Sequence, residues 1–433
     1  MILRYIFVFF AFFIGLYAQD FKHTLIKKGT DDNNTLLLIG GIQGDEPGGF
    51  LAASLVATDY NITSGSVWVV PNLNFISILK RSRGTKGDMN RKFQYIDKND
   101  PDYEAVTDIK KLIRDKNVSL ILNLHDGSGF YRDEFIDKDR NPNKWGNTVI
   151  IDQAFLENGV YKNLQGIAES VIKSINLKLL NKEHRYHVKN TKTKEGDMEM
   201  LRSLTYYAIT QGKSAFANEA SKNLNAEQRT YYHLLAIEEY MNMMGIKFTR
   251  PFDISVKSVK NAIEKTIDVS LFNDKFILSL KNPRSSIKFI PLPKNEKLEL
   301  NASNPITAAI EYKNGYQIRY GNRLLTSITP EFFEYSNSFD EILVDVDGKR
   351  RIVKLGSKIL VKDFFEIDQK EGARVNIIGY TSKNTDEAGH KVSKNNMMTS
   401  FSLDKSGKIY RVEIYELGKK DKFVGMILVE FVK

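Results

Sequence analysis

The chain contains no cysteine in 433 residues. That excludes disulfides, a thiol nucleophile, thiolate metal sites and a lipidated N-terminal cysteine. Histidine is also scarce, at six, so a metal site must draw on few imidazoles and complete its ligand set with carboxylates or amides. No apolar run after Tyr17 approaches the ~20 residues that a spanning helix needs. There is no internal repeat of fixed period and no low-complexity tract. The net charge of +10 is spread along the chain without a basic arm or a binding motif. This argues against nucleic acid and for an anionic partner such as a cell-wall polymer or a membrane surface.

What is present begins at the N-terminus. Arg4 precedes an apolar run from Tyr5 to Tyr17, and Ala18 fits the small residue before a cleavage point. This layout predicts a secretory signal peptide over residues 1–18, removed to leave a mature chain without a spanning segment. An exported protein without disulfides suits a bacterial periplasm, provided its core is large. The 42% apolar and 27% charged content predicts such a core.

From residue 19 to 248 the pattern alternates strands and helices. Strands are expected at Thr35–Gly40, Ser66–Pro71, Val118–Leu124, Thr148–Ile151 and Ser214–Asn218. Helices are expected at Pro47–Thr58, Tyr103–Asp115, Leu164–Ile175 and Ala226–Met244. That predicts an α/β domain, a mixed sheet flanked by helices, whose chemistry gathers where loops leave the carboxyl ends of strands. After Arg250 the helical periodicity gives way to short alternating runs, with turns at Asn314-Gly315 and Asp347-Gly348. One or two small all-β domains are expected, divided as 249–335 and 336–433.

Three elements carry chemistry. Gln43 and Glu46 lie in a glycine-rich turn between a strand and a helix, and His125 follows a second strand. Together they can converge on one point, as metal ligation requires. The other five histidines, His23, His184, His187, His233 and His390, stand in contexts that suit surface or structural roles. Arg83, Asn90 and Arg91 lie in a polar loop, where a planar guanidinium and a directed amide suit a carboxylate. Glu219, between Asn218 and Ala220 at a strand end, can serve as a general base.

Gln43-x-x-Glu46, Asn90-Arg91, His125 and Glu219, in that order, resemble the zinc carboxypeptidases of the carboxypeptidase A superfamily. The resemblance implies one zinc ion held by Gln43, Glu46 and His125, where the family has histidine at the first place. It implies a substrate terminal carboxylate bound by Asn90 and Arg91, an oxyanion stabilised by Arg83, and Glu219 as general base. A tyrosine on a loop over the site would be Tyr206 or Tyr207. Glutamine at the first ligand is similar to a subgroup, the periplasmic cell-shape-determining DL-carboxypeptidases of helical Gram-negative bacteria. For that subgroup the resemblance implies trimming of the peptidoglycan stem tripeptide to a dipeptide, with cleavage between the γ-carboxyl of D-Glu and meso-diaminopimelate. Muropeptides are then the binding partners, and the β domains are candidates for docking proteins. An amide oxygen binds zinc less strongly than imidazole, so weak affinity is expected. Four other readings stand beside this one: a carboxypeptidase of other peptide specificity, a murein endopeptidase, a metal-free peptidoglycan-binding scaffold, and a polysaccharide-binding protein, against which the lack of an aromatic ladder in the β domains counts.

Overall fold

The computed structural model describes residues 21–30, 33–294, 296 and 298–432. The expected signal segment, 1–18, lies outside them. Seven strands form the central sheet: β1 (Ile26–Gly29), β2 (Thr35–Ile39), β3 (Ser66–Val70), β4 (Val118–Gly127), β5 (Thr148–Ile151), β6 (His187–Asn190) and β7 (Ser214–Ser221). Their spatial order is β1-β3-β2-β4-β7-β5-β6. Neighbours β3, β2, β4 and β7 run parallel, β1 runs against β3 and β5 against β7, and β6 is parallel to β5. Strands β2 and β4 are buried along their whole length, which is why their sequences are dominated by apolar residues up to Ile39 and Leu124.

Helices α1 (Pro47–Asp59), α2 (Phe75–Lys80), α3 (Tyr103–Arg114), α4 (Leu164–Asn176), α5 (Leu204–Thr210), α6 (Ala226–Met243) and α7 (Val256–Ile263) cover the sheet and its edges. Proline opens α1, where its missing N–H costs no hydrogen bond. Asn225 and Gln228 close a capping box at the start of α6.

Two expectations about the chain up to α7 need correction. Strands β4 and β7 run three residues past their apolar stretches, because the ladder continues through Glu219 opposite His125 to Ser221 opposite Gly127. His125 and Glu219 are therefore strand residues, not turn residues. Helical periodicity also persists past Arg250 in α7, where Ser255 caps the start and Val259, Ala262 and Ile263 are buried.

Beyond α7 the chain is all β. Strands Asp268–Leu271, Phe276–Ser279 and Leu300–Ala302 form one sheet, and four more between Ser286 and Phe333 form another. Two four-stranded sheets follow within Glu341–Phe431. Asp347 and Gly348 both have positive φ, as a type I′ hairpin requires. The other hairpin is displaced by one residue. Tyr312 pairs with Gly315, so the turn is Lys313-Asn314 and the positive φ falls on Lys313.

One hydrophobic core runs from the α/β sheet into the middle β region, and a second fills the C-terminal sheets. Helix α1 makes the first of these joints. Gly321, with φ +54°, lies so close to Phe50 that a Cβ would come within 2.7 Å of the ring, and Ser54 donates to Asn304 Oδ1 at 2.9 Å. Among the described residues no helix is long and apolar enough to cross a membrane.

Candidate active site

Parallel β2, β4 and β7 end at the same edge of the sheet, and four of the candidate residues follow from that alone. The turn after β2 carries Gln43 and Glu46. The last residues of β4 carry His125. Glu219 stands beside His125 on β7. The turn needs glycine at 44, because a Cβ there would sit 2.0 Å from the Ser77 backbone.

Asp126 sets the distance between α1 and β4. Its Oδ2 accepts from Gly48 N at 2.9 Å and from Arg229 Nη1 at 2.8 Å, and its backbone N donates to Glu46 Oε2 at 3.1 Å. A Cβ on residue 48 would be 2.4 Å from Asp126 Oδ1, so only glycine admits this contact. Burial would raise the Asp126 carboxyl, but His233, Arg229 and Gly48 outweigh it and hold the group below the usual carboxylate range. His233 is thus a buried structural histidine, sharing Asp126 and Asn218.

Glu46 arrives beside His125 through these contacts. His125 Nδ1 lies 3.0 Å from Gln43 Oε1 and 3.0 Å from Glu46 Oε2. All three side chains are buried, at 2%, 4% and 4% exposure for Gln43, Glu46 and His125. Burial disfavours charge on His125, but the hydrogen bond and charge of Glu46 prevail and raise its pKa. A cation other than a proton can take that place. Ligands about 2.1 Å from a tetrahedral ion stand roughly 3.4 Å apart, close to the spacing seen here.

Neighbouring groups aim the donors. Gln43 Nε2 donates to both oxygens of Asp88 at 2.8 Å, which turns its Oε1 toward the histidine. Asn123, two residues before His125 and on the same face of β4, places Nδ2 2.8 Å from His125 Nε2, while its buried Oδ1 has no partner. With that amide turned over, Oδ1 accepts the Nε2 proton and the Nδ1 lone pair is left for a metal. The donor set of amide, carboxylate and imidazole therefore fits a divalent ion. Among the described residues no three His, Cys, Asp or Glu side chains gather to hold a metal, because the third donor here is an amide oxygen. Removing one support, Asp88→Ala, should weaken metal binding about tenfold, as loss of an outer partner commonly does. Competition with a chromophoric chelator measures this, and unchanged affinity would detach Asp88 from the site.

The remaining candidates close a cleft of about 250 Å³, lined by Gln43, Glu46, Arg83, Asn90, Arg91, His125 and Glu219 together. Arg83 bonds Asp88 at 2.9 Å and approaches Glu46 Oε1 at 3.5 Å. Asn90 Oδ1 accepts from Leu204 N at 3.0 Å, and its Nδ2 stands 3.5 Å from His125 Nε2. Arg91 is held by Glu199 through Nε at 3.1 Å. Glu219 is 8% exposed. Burial pushes its carboxyl up, to about 8; Glu46 and Asp126 add to the rise, while His125 and Lys222 oppose it.

The tyrosine expectation does not hold. Tyr206 and Tyr207 lie in helix α5, not in a loop over the site, and Tyr207 packs on Phe93 with ring centres 6.4 Å apart. Four further residues belong to the cleft or its supports. Asp88 and Lys222 each touch a candidate ligand, and Trp145 and Thr205 line the cleft. Asn123 was legible as a polar residue inside an apolar strand. Lys222 carries no such mark, since its contact with Glu46 depends on where β7 ends.

Comparison with known proteins bears on this geometry. A family described as the catalytic part of a carboxypeptidase controlling helical cell shape matches residues 3–264. A second, described as the C-terminal domain of metallo-carboxypeptidase, matches residues 335–432. The chain is similar to the cell shape determinant Csd4 of Helicobacter pylori, solved with a bound tripeptide. The two are 41% identical over 95% of this chain and 100% of that one, with a TM-score of 0.87. A structure of the same protein with mDAP bound, which is called a D,L-carboxypeptidase, matches at 41% identity over 94% of this chain and 100% of that one, TM-score 0.87. A Csd4 variant in which histidine replaces a glutamine matches at 41% identity over the same shares, TM-score 0.86. No curated protein sequence matches the chain significantly.

Proposed function

The chain belongs to the family of carboxypeptidases controlling helical cell shape, and from that premise we propose that it trims the peptidoglycan stem tripeptide to a dipeptide, releasing meso-diaminopimelate, in the periplasm and with zinc as its metal. The observation that carries the reading is the convergence of Gln43, Glu46, His125, Glu219, Asn90, Arg91 and Arg83 on one cleft. Gln43, Glu46 and His125 are the residues that would hold zinc. Bound there, zinc would supply a Lewis acid that polarises the scissile carbonyl and makes water more acidic.

The chain's own groups do the rest. Asn90 and Arg91 grip the substrate's terminal carboxylate, which confines cleavage to the last peptide bond. Glu219 receives a proton from the attacking water and delivers it to the leaving amine. The charge of His125 favours the carboxylate that accepts this proton, and burial favours the carboxyl that carries it to the amine. Arg83, a cation beside Glu46, is placed to oppose negative charge that develops on the carbonyl oxygen. The C-terminal sheets, with a core of their own, are the part free to dock protein partners.

Purified protein incubated with tripeptide and tetrapeptide muropeptides tests this reading. Release of diaminopimelate from the tripeptide, lost on chelation and restored by added zinc, is the expected result. Full turnover after chelation would remove the metal, and equal cleavage of the tetrapeptide would remove the substrate assignment.

A further inference from the structure

Asp152 follows β5 and is only 1% exposed, yet its Oδ2 has no hydrogen-bond partner. A buried carboxylate with a bare oxygen is costly, and burial pushes this one up to about 6, with Asp197 adding to the rise. Its other oxygen accepts from Thr193 Oγ1 at 2.5 Å, and its backbone carbonyl accepts from Thr193 N at 3.0 Å. The hydroxyls of Thr205 and Thr191 also favour its charge. Thr191 and Thr205 bound one segment, 191–205, of which Met200 and Thr205 line the cleft.

That segment builds the wall assigned to the terminal carboxylate. Leu204 N donates to Asn90 Oδ1 at 3.0 Å, Arg202 Nε donates to the Arg91 carbonyl at 3.0 Å, and Glu199 holds Arg91 Nε. Thr205 lines the cleft itself. We propose that Asp152 is a positioning residue for substrate binding: by holding Thr193 through both its side chain and its backbone it anchors segment 191–205, and so fixes Asn90 and Arg91 in the geometry that receives a carboxylate. The inference rests on the reading that Asn90 and Arg91 bind the substrate's terminal carboxylate.

Two isosteric pairs test it in the full-length protein. Thr193→Val removes the hydroxyl while keeping the shape, and Thr193→Ser restores it. Asp152→Asn removes the charge and with it the unfavourable ionisation in the fold. The folded group titrates above its unfolded value of 3.8, so wild-type stability falls as pH rises from about 4 to about 6. Asp152→Asn should therefore melt no lower than wild type at pH 7. Thr193→Val and Asp152→Asn should each raise the tripeptide dissociation constant in calorimetry, and KM, about tenfold, the weight of a charge-assisted hydrogen bond. In both, kcat should stay within about twofold and metal content should be unchanged. Thr193→Ser should return the wild-type affinity. Unchanged affinity in the variants, with normal binding by wild type, overturns the anchor alone. Weaker binding accompanied by lost metal or a lower melting point also overturns it. Absence of tripeptide binding by wild type overturns the functional reading and the anchor together.

Discussion

Glu219→Ala should lower kcat by about 10²–10⁴-fold, the usual contribution of a positioned general base, while metal content stays at the wild-type level. The two halves of that result come from different parts of the geometry. Glu219 faces His125 across the β4–β7 ladder but makes no hydrogen bond to Gln43, Glu46 or His125. Removing it leaves the donor set standing. What is lost is a buried carboxyl whose proton affinity is raised by its surroundings, first by burial and then by Glu46 and Asp126. Asp126 is held low by its partners, and Glu46 is occupied by His125, Lys222 and the Asp126 amide. Single-turnover kinetics on the tripeptide, with metal analysis of the same sample, checks both halves. Near-normal turnover would end the assignment of Glu219 as base.

Gln43→His should tighten zinc by about two orders of magnitude, which corresponds to roughly 3 kcal/mol. Part of the gain is the donor, because the ion prefers an imidazole nitrogen to a neutral amide oxygen. The rest comes from a group already in place. Asp88 now accepts the Gln43 amide with both oxygens at 2.8 Å. A histidine at 43 presents its second ring N–H to that carboxylate, and a carboxylate behind a ligating imidazole makes it a stronger base. Metal competition on the purified variant gives the answer. An unchanged zinc affinity would show that residue 43 is not a ligand, and the carboxylate of Asp88 would then need another explanation.

The elements that position the site were readable wherever one physical signal governed them. The apolar runs before Gly40 and before His125 marked β2 and β4, since strands buried on both faces admit little else. Pro47 marked the start of α1. Order along the chain brought Gln43, Glu46, His125 and Glu219 together because parallel neighbours must end at the same edge. What escaped reading depends on contacts between distant segments. The extra residues of β4 and β7 are polar or small and are held by ladder partners that only the fold supplies. Asp88 reads as one more acid in a polar loop until Gln43 is seen to lean on it. Thr193 and Asp152 are 41 residues apart in the chain, and no local pattern joins them.

The seam along α1 bears on the order in which the chain is made. This helix begins immediately after Glu46, and its middle residues Phe50 and Ser54 rest on Gly321 and Asn304. Asn72, in the stretch that follows β3, likewise donates to the Pro305 carbonyl at 3.0 Å. A nascent chain that has reached residue 250 holds every proposed ligand and the proposed base, but the outer face of α1 still lacks its cover. The site is therefore finished late, from material more than 250 residues downstream of Glu46. A truncated product stopping at the end of the α/β sheet should carry all the chemistry and hold none of it firmly.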